Sequence, residues 1–454
     1  MGGIEIKNIR DKRDMKKVFC LMLAFLLLFS FAACQAMAPQ TSGNWDDEAD
    51  GKTELSFMLW DEGTNQPEVT IGRHMIDRFN MENKFNVTIV PELIPSEQTK
   101  TKLPTLMAAN TAPDIFNAWG AGYLAPYINA GKVFCLQDAL DADPEWKASF
   151  MDGIMDYLTY DGRVYAIPTT ISTQVAYYNK EIFDEYNLSI PATHAEFVAA
   201  LIKIRDAGDG IIPMAFADKD AWPSASHTEI LANRIGGNEP FNRAAAGTGK
   251  FTDPSFIQAA RLVKELVDEK LVPEGFSGMS ASEAIAQFKS GKAAAFIWSS
   301  YCLPDLERED SVVKDKVVLA KCPTVDGGKG DPNMWLGQPD RNFVVSQRCK
   351  NKDAAIAFIK FYTSPANQQL LANRGTLTAL RPELLDMAKV PDMTVQLMKL
   401  HKDMTGLFGF YDVMLGPVTG NEYNNTVQAI LAGDAAEAAF ERYQQFFDEN
   451  KEPE

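Results

Sequence analysis

Histidine and cysteine are scarce, four His and six Cys in 454 residues. None stands in a CxxC or HExxH spacing, so neither a structural zinc site nor a zincin-type site has its ligand set, and no metal or cofactor is expected. Positive charge is also in short supply. Lys and Arg number 44 against 61 Asp and Glu, a net charge of −17. With no basic cluster beyond the first residues, such a surface repels phosphate backbones, and nucleic-acid binding is excluded. Long hydrophobic runs are absent but for one, from Val18 to Ala33, apolar throughout except Ser30. Sixteen residues are too few to cross a bilayer comfortably. What is abundant is core material: 46% of residues are apolar, which excludes disorder. A chain of this length exceeds what one core organises well, so two lobes are expected.

The apolar run follows Lys16 and Lys17 and ends in small residues, the parts of an export signal. Met15 is the better start for it, because the residues before it add mixed charge that such a signal does not need. Phe31-Ala32-Ala33-Cys34 resembles a bacterial lipobox, which implies that Cys34 takes a diacylglyceryl anchor and becomes the first residue of the mature protein. Residues 1–33 are read as a lipoprotein signal peptide and 34–53 as a flexible tether, rich in Ser, Gly, Asn and Asp. Removal of the signal leaves 38 basic against 58 acidic residues, a net charge of −20. Outside the reducing cytoplasm Cys135, Cys302, Cys322 and Cys349 have three possible pairings, with free thiols equally open.

From residue 54 onward strands and helices alternate, the α/β pattern. Leu55–Trp60, Asn86–Val90 and Asp114–Ala118 read as strands. Helix starts are marked by Thr193-x-x-Glu196, Asp253-Pro254, Ser280-x-x-Glu283, Ser364-Pro365 and Asp434-x-x-Glu437. Gly247-Thr-Gly-Lys250 lacks the spacing and the Ser or Thr of a phosphate loop. Asp46, Glu48 and Asp50 lack the closing glutamate of a calcium loop.

Lys102-Leu-Pro-Thr-Leu-Met-Ala-Ala-Asn-Thr-Ala-Pro-Asp-Ile-Phe116, followed by Trp119-Gly120, resembles the first signature of extracellular solute-binding protein family 1, the binding components of ABC importers of the maltose-binding-protein type. Asp161-Gly-Arg-Val-Tyr-Ala-Ile-Pro-Thr169, Tyr177-Tyr-Asn-Lys-Glu-Ile-Phe183, Phe288 to Trp298 and Ala354 to Pro365 continue the resemblance in order, over roughly residues 54 to 447. It implies a two-lobed, type II periplasmic-binding-protein-like α/β fold with a hinge of three crossings. Lobe one is expected at 54–173 plus 343–390 and lobe two at 176–338 plus 393–450. It further implies a monomeric, membrane-anchored extracellular protein, not an enzyme, that carries a carbohydrate, an oligosaccharide by expectation, to permease subunits.

Open α/β sheets bind ligands beyond the carboxyl ends of their strands. That rule singles out Trp60, Asp61 and Glu62 after the first strand, Trp119 and Gly120 after the third, and Trp298 after the strand at Ala294–Ile297. Trp222 and Trp335 stand in polar stretches that demand no large ring, Tyr411 precedes a Gly-Pro turn, and Gln174 lies beside the first crossing. An indole covers the C–H face of a pyranose while carboxylates and amides take its hydroxyls. The same residues would also suit a polyamine, through cation–π contact and salt bridges, and a peptide ligand stays open. A secreted glycosidase needs two facing carboxyls, and no pair is identifiable in the sequence. Asp114 and Pro113 are read as shaping the turn before the third strand.

Overall fold

The computed structural model describes residues 51–61 and 67–451; Cys34, nearly all of the tether and Glu62 lie outside them. The first strand, β1 (Thr53–Trp60), buries every residue from Phe57 to Trp60. Burial on both faces is what a parallel sheet covered by helices requires. It lies between β2 (Val87–Ile94) and β3 (Ile115–Ala118), parallel to both, with Thr53 opposite Val87 and Phe57 opposite Ile115. Two strands from later in the chain complete the sheet: β4 (Ala166–Ile167) and, between it and β3, β10 (Asn342–Val345), giving the order β2-β1-β3-β10-β4.

A second sheet is built around β5 (Thr170–Asn179), whose ten residues are all buried. β7 (Ala293–Ser299) runs antiparallel to it, with Gln174 opposite Ser299, and β6 (Ile212–Ala215) lies beyond. On the other side β9 (Met334–Asp340) pairs Gln338 with Ser172, and β11 (Gly406–Phe408) forms the edge. β8 (Val317–Ala320) covers the far end of β5.

The chain passes between the sheets three times. One passage joins β4 to β5. A second joins β9 to β10 through the single residue Arg341, which sits in the left-handed region at φ +50°. The third lies around 376–380, where Ile171 N–H donates to Leu377 O at 3.0 Å and Ala379 N–H to Thr169 O at 3.1 Å.

Most of the helix boundaries match the capping pattern in the sequence. Thr193 and Glu196 form a reciprocal capping box that opens His194–Ala207, Gly208 closes it at φ +78°, and Ser280 with Glu283 opens Ala281–Lys289 in the same way. The last helix departs from expectation. It begins at Ala436 with Ala435 as its N-cap and no side-chain cap, one residue past the start at which Asp434 would be the cap, and Asp434 and Glu437 pair instead with Arg442 and Arg261. Asp114 is structural as expected: its Oδ2 accepts from Ser56 N–H and its Oδ1 from Lys350 N–H, both at 2.9 Å, which ties β1 to the segment after β10. Cys135, Cys302, Cys322 and Cys349 are free thiols, and burial pushes Cys349 up to about 11 and Cys322 up to about 12. Among the described residues no helix is long and apolar enough to cross a membrane.

Candidate functional site

Between the two sheets lies a cavity of about 250 Å³. One wall comes from the first sheet: Trp60 at the end of β1, Glu97 and Lys100 on the helix after β2, and Trp119 after β3. The indoles of Trp60 and Trp119 are packed at 4.5 Å between centroids, and Trp60 Nε1 donates to Thr99 Oγ1 at 2.8 Å, which fixes its orientation. Trp222 and Tyr301 stand on the opposite wall, with Asp220 at the mouth of the helix Trp222–Gly236. A larger hollow of about 830 Å³, between residues 67–71, 304–315 and 390–392, is lined by no aromatic side chain.

Strand parity builds the floor. Ser172, Gln338 and Ser299 project from one face of the second sheet and meet in the cavity. The two serine hydroxyls are hydrogen-bonded to each other. Gln338 is only 6% exposed and its Oε1 has no partner. A buried acceptor without a partner costs about 1–3 kcal/mol, so this one is poised for a donor.

The charged groups are concentrated beside Trp119. Lys100 Nζ lies 3.0 Å from Glu97 Oε2 and 3.2 Å from Asp412 Oδ2, and 5.3 Å from the Trp119 ring. Burial pushes the Glu97 carboxyl up to about 7, against the pull of Lys100. Burial acts to discharge Lys100 as well, but Asp412 and Glu97 outweigh it and hold the ammonium charged. Arg341 Nη1 donates to Trp60 O at 2.8 Å across the second passage.

Three backbone outliers surround this site. Non-glycine residues at positive φ are tolerated best as Asn or Asp; of the four in the described residues that are neither, Ala121 follows the Trp119-Gly120 pair, Ala221 separates Asp220 from Trp222, and Arg341 lines the cavity itself. Strain of this kind collects where side chains are held for function.

The residues singled out from the sequence divide into two groups. Trp60, Trp119 and Trp222 line the cavity; Asp61 adjoins it in sequence, its backbone N–H donating to Ile94 O at 2.9 Å. Trp298, Trp335, Tyr411, Gln174 and Gly120, expected as ligand contacts, do not line it. Trp298 and Trp335 occupy the opposite parity of β7 and β9 from Ser299 and Gln338, so their rings enter the core, one stacked on Phe296 and behind Trp222 at 4.8 Å, the other edge-on to His401. Tyr411 is stacked on Phe241 at 3.8 Å. Gln174 shares the face of Ser172 but stands two residues farther along β5, fully buried, with neither amide atom partnered. Gly120 caps the helix Ala121–Asn129, and a Cβ there would strike Tyr157 O at 2.3 Å.

Sequence reasoning passed over Glu97, Lys100, Asp220, Ser172, Ser299, Gln338, Asp340, Arg341 and Asp412. Glu97 and Lys100 carried a usable signal, an i,i+3 acid–base pair in the first turns after a strand exit. The residues on β5, β7 and β9 carried none, since parity has meaning only once register is known.

Residues 70–369 match the family described as bacterial extracellular solute-binding protein. The maltodextrin-binding protein MdxE of Bacillus subtilis (strain 168) is 31% identical over 357 residues, 78% of this chain and 78% of its own. A solved structure from work on xylan utilization by the thermophilic bacterium Caldanaerobius polysaccharolyticus is 30% identical with a TM-score of 0.80, covering 86% of this chain and 99% of that one. Maltose-bound T. maritima MalE3, at 20% identity and a TM-score of 0.74 over 87% of this chain and 99% of its own, shares the fold. Two α/β lobes joined by three crossings, a cavity between them and a matching family profile across 70–369 lead to one conclusion: this chain belongs to the bacterial extracellular solute-binding proteins.

Proposed function

We propose that the protein is the substrate-binding component of an ABC importer, and that it captures a carbohydrate, an oligosaccharide, between its lobes and delivers it to membrane permease subunits. The observation that carries this reading is the composition of the cavity: indoles on both walls, Trp60 and Trp119 against Trp222, over a floor of small hydroxyls and the unpartnered Gln338 Oε1. Aromatic faces cover the C–H surface of a sugar while hydroxyls and amides take its O–H groups. Lys100 is held by Glu97 and Asp412, and Arg341 donates to Trp60 O, so the polar capacity left over is mainly accepting and suits a ligand rich in donors. Sugars with anionic groups fit poorly there.

Trp60, Trp119 and Trp222 contact the ligand rings, with Asp61 beside them, and Glu62, outside the described residues, joins them as a ligand contact. The three passages bound the lobes, so the expected ranges, 54–173 plus 343–390 and 176–338 plus 393–450, move to 54–169 plus 342–375 for lobe one and 170–340 plus 381–450 for lobe two. Cys34 carries a lipid anchor that holds a monomer on the outer face of the cell membrane, and the protein performs no chemistry on its cargo. A second reading, a polyamine ligand, draws on the excess of acids over bases in the cavity, Glu97, Asp220, Asp340 and Asp412 against Lys100 and Arg341.

A thermal-shift and tryptophan-fluorescence screen against neutral oligosaccharides, peptides and polyamines, with mass analysis of the recovered ligand, tests these readings. Stabilisation by one intact sugar class is the expected result. Stabilisation by polyamines alone moves the assignment to the second reading, and a cleaved glycan overturns the binding-protein assignment.

A further inference from the structure

Residues 409–416 belong to neither lobe alone. Tyr411 lies in the core of the second, in one cluster with Phe256, Tyr423 and Phe440, while Val413, two residues on, lies in the cluster of the first, with Trp60, Trp119 and Tyr123. Asp412 between them is held from both sides: Lys100 Nζ of the first lobe at 3.2 Å and Asn424 Nδ2 of the second at 3.0 Å. Phe410, Asp412 and Val413 line the cavity, so the segment is also part of the site's wall.

What lets this segment seat on the first lobe is a glycine outside the cavity. A Cβ at Gly122 would lie 2.2 Å from Met414 O and 3.1 Å from Gly416 N. Both are backbone atoms that cannot swing aside. Gly122 is not among the residues at positive φ, so the conformation there suits any L-residue. It stands in the first turn of Ala121–Asn129, where alanine would favour the helix over glycine. The absent side chain is therefore explained by the docked segment and not by local backbone needs.

We infer that residues 409–416 form a clasp that joins the lobes beside the cavity, and that Gly122 is a positioning residue for ligand binding which sets affinity without touching the ligand. This rests on the cavity being the ligand site. Seated, the clasp places Asp412 and Val413 in the wall. Displaced by a methyl group at 122, it withdraws them from the first lobe, and the lobes part.

The test compares the full-length protein with Gly122→Ala and Asp412→Asn by small-angle X-ray scattering without ligand, by thermal melting, and by titration with maltotriose, stachyose, and xylan- and chitin-derived oligosaccharides. Gly122→Ala is expected to raise the radius of gyration, leave the melting temperature unchanged or higher, and weaken binding at least tenfold. Asp412→Asn is expected to raise the radius of gyration by less, and it decides the matter should Gly122→Ala fail to fold. Wild-type dimensions and affinity in the Gly122→Ala protein overturn the clasp, as does a lowered melting temperature with unchanged dimensions, which marks simple packing. If the wild type binds none of the sugars, the carbohydrate reading fails, and the clasp stands or falls on the scattering comparison alone.

Discussion

On the wall built from the first sheet, the side chains that reach the cavity stand beyond the carboxyl ends of parallel strands: Trp60 closing β1, Glu97 and Lys100 after β2, Trp119 after β3. On the wall built from the second, several stand on the strands themselves, Ser172, Ser299 and Gln338, chosen by which face of an antiparallel pair they occupy. The difference separates two ways of building a site. Strand exits deliver large rings and charges on loops and helix starts. Strand faces deliver short polar groups in fixed register, and the reverse face of the same strands must then fill a core.

The largest effect that sharpens this comparison is expected at Trp335, on the core face. Trp335→Ala should cost about 3–5 kcal/mol of stability with the affinity of the remaining folded protein unchanged, read by denaturant unfolding and ligand titration. A loss of affinity without loss of stability would place Trp335 in the site after all. Next is Lys100→Met on the strand-exit wall. It leaves Glu97 and Asp412 facing each other without their cation, so a loss of about 3 kcal/mol is expected, and a variant as stable as wild type would show that solvent already screens the trio. Trp222→Ala should weaken ligand binding by about 1–3 kcal/mol with the fold kept, measured by calorimetry; an unchanged dissociation constant would leave the second wall to its hydroxyls alone.

The smallest effect concerns pH. Glu97 titrates near 7 in the folded chain, above its ordinary 4.5. Its protonated form therefore adds stability that is complete below about pH 4.5 and lost as pH rises through about 7. Glu97→Gln lacks that loss, so the difference in melting temperature, variant minus wild type, should grow between pH 4.5 and 7 and then level off. A difference that stays constant with pH would mean Glu97 is ionised throughout.

The same comparison explains what the sequence disclosed. The first three strands, most helix caps and the α/β class were legible because apolar periodicity and capping boxes are local, and the two lobes followed from chain length and the family resemblance; the order of the strands in each sheet was not legible, because it is set by pairings distant in sequence. Trp60 and Trp119 were legible because a strand exit can be located from the strand. Trp298 was expected at the ligand for its place at a strand exit and Trp335 for its polar neighbours, because neither signal shows which face of a strand a ring takes; the pairing of Gln174 with Ser299 and of Gln338 with Ser172 puts both rings on the face away from the cavity. Asp412 was hidden for another reason. Its partners Lys100 and Asn424 lie in different lobes, and the turn holding it depends on a glycine nearly three hundred residues earlier.

The position of β10 governs how the chain must come together in time. It fills the gap between β3 and β4, and Asn342 Nδ2 donates to Ala118 O across 224 residues of sequence. A chain emerging amino end first therefore shows the bare edge of β3 to its surroundings until nearly all of the second sheet has followed. Pairing at such separation is slow to form, and an open strand edge invites the wrong partner. The first lobe is thus begun early and completed only after most of the second sheet has followed, so a chain cut short before residue 342 would leave a half-built sheet in place of a smaller working protein.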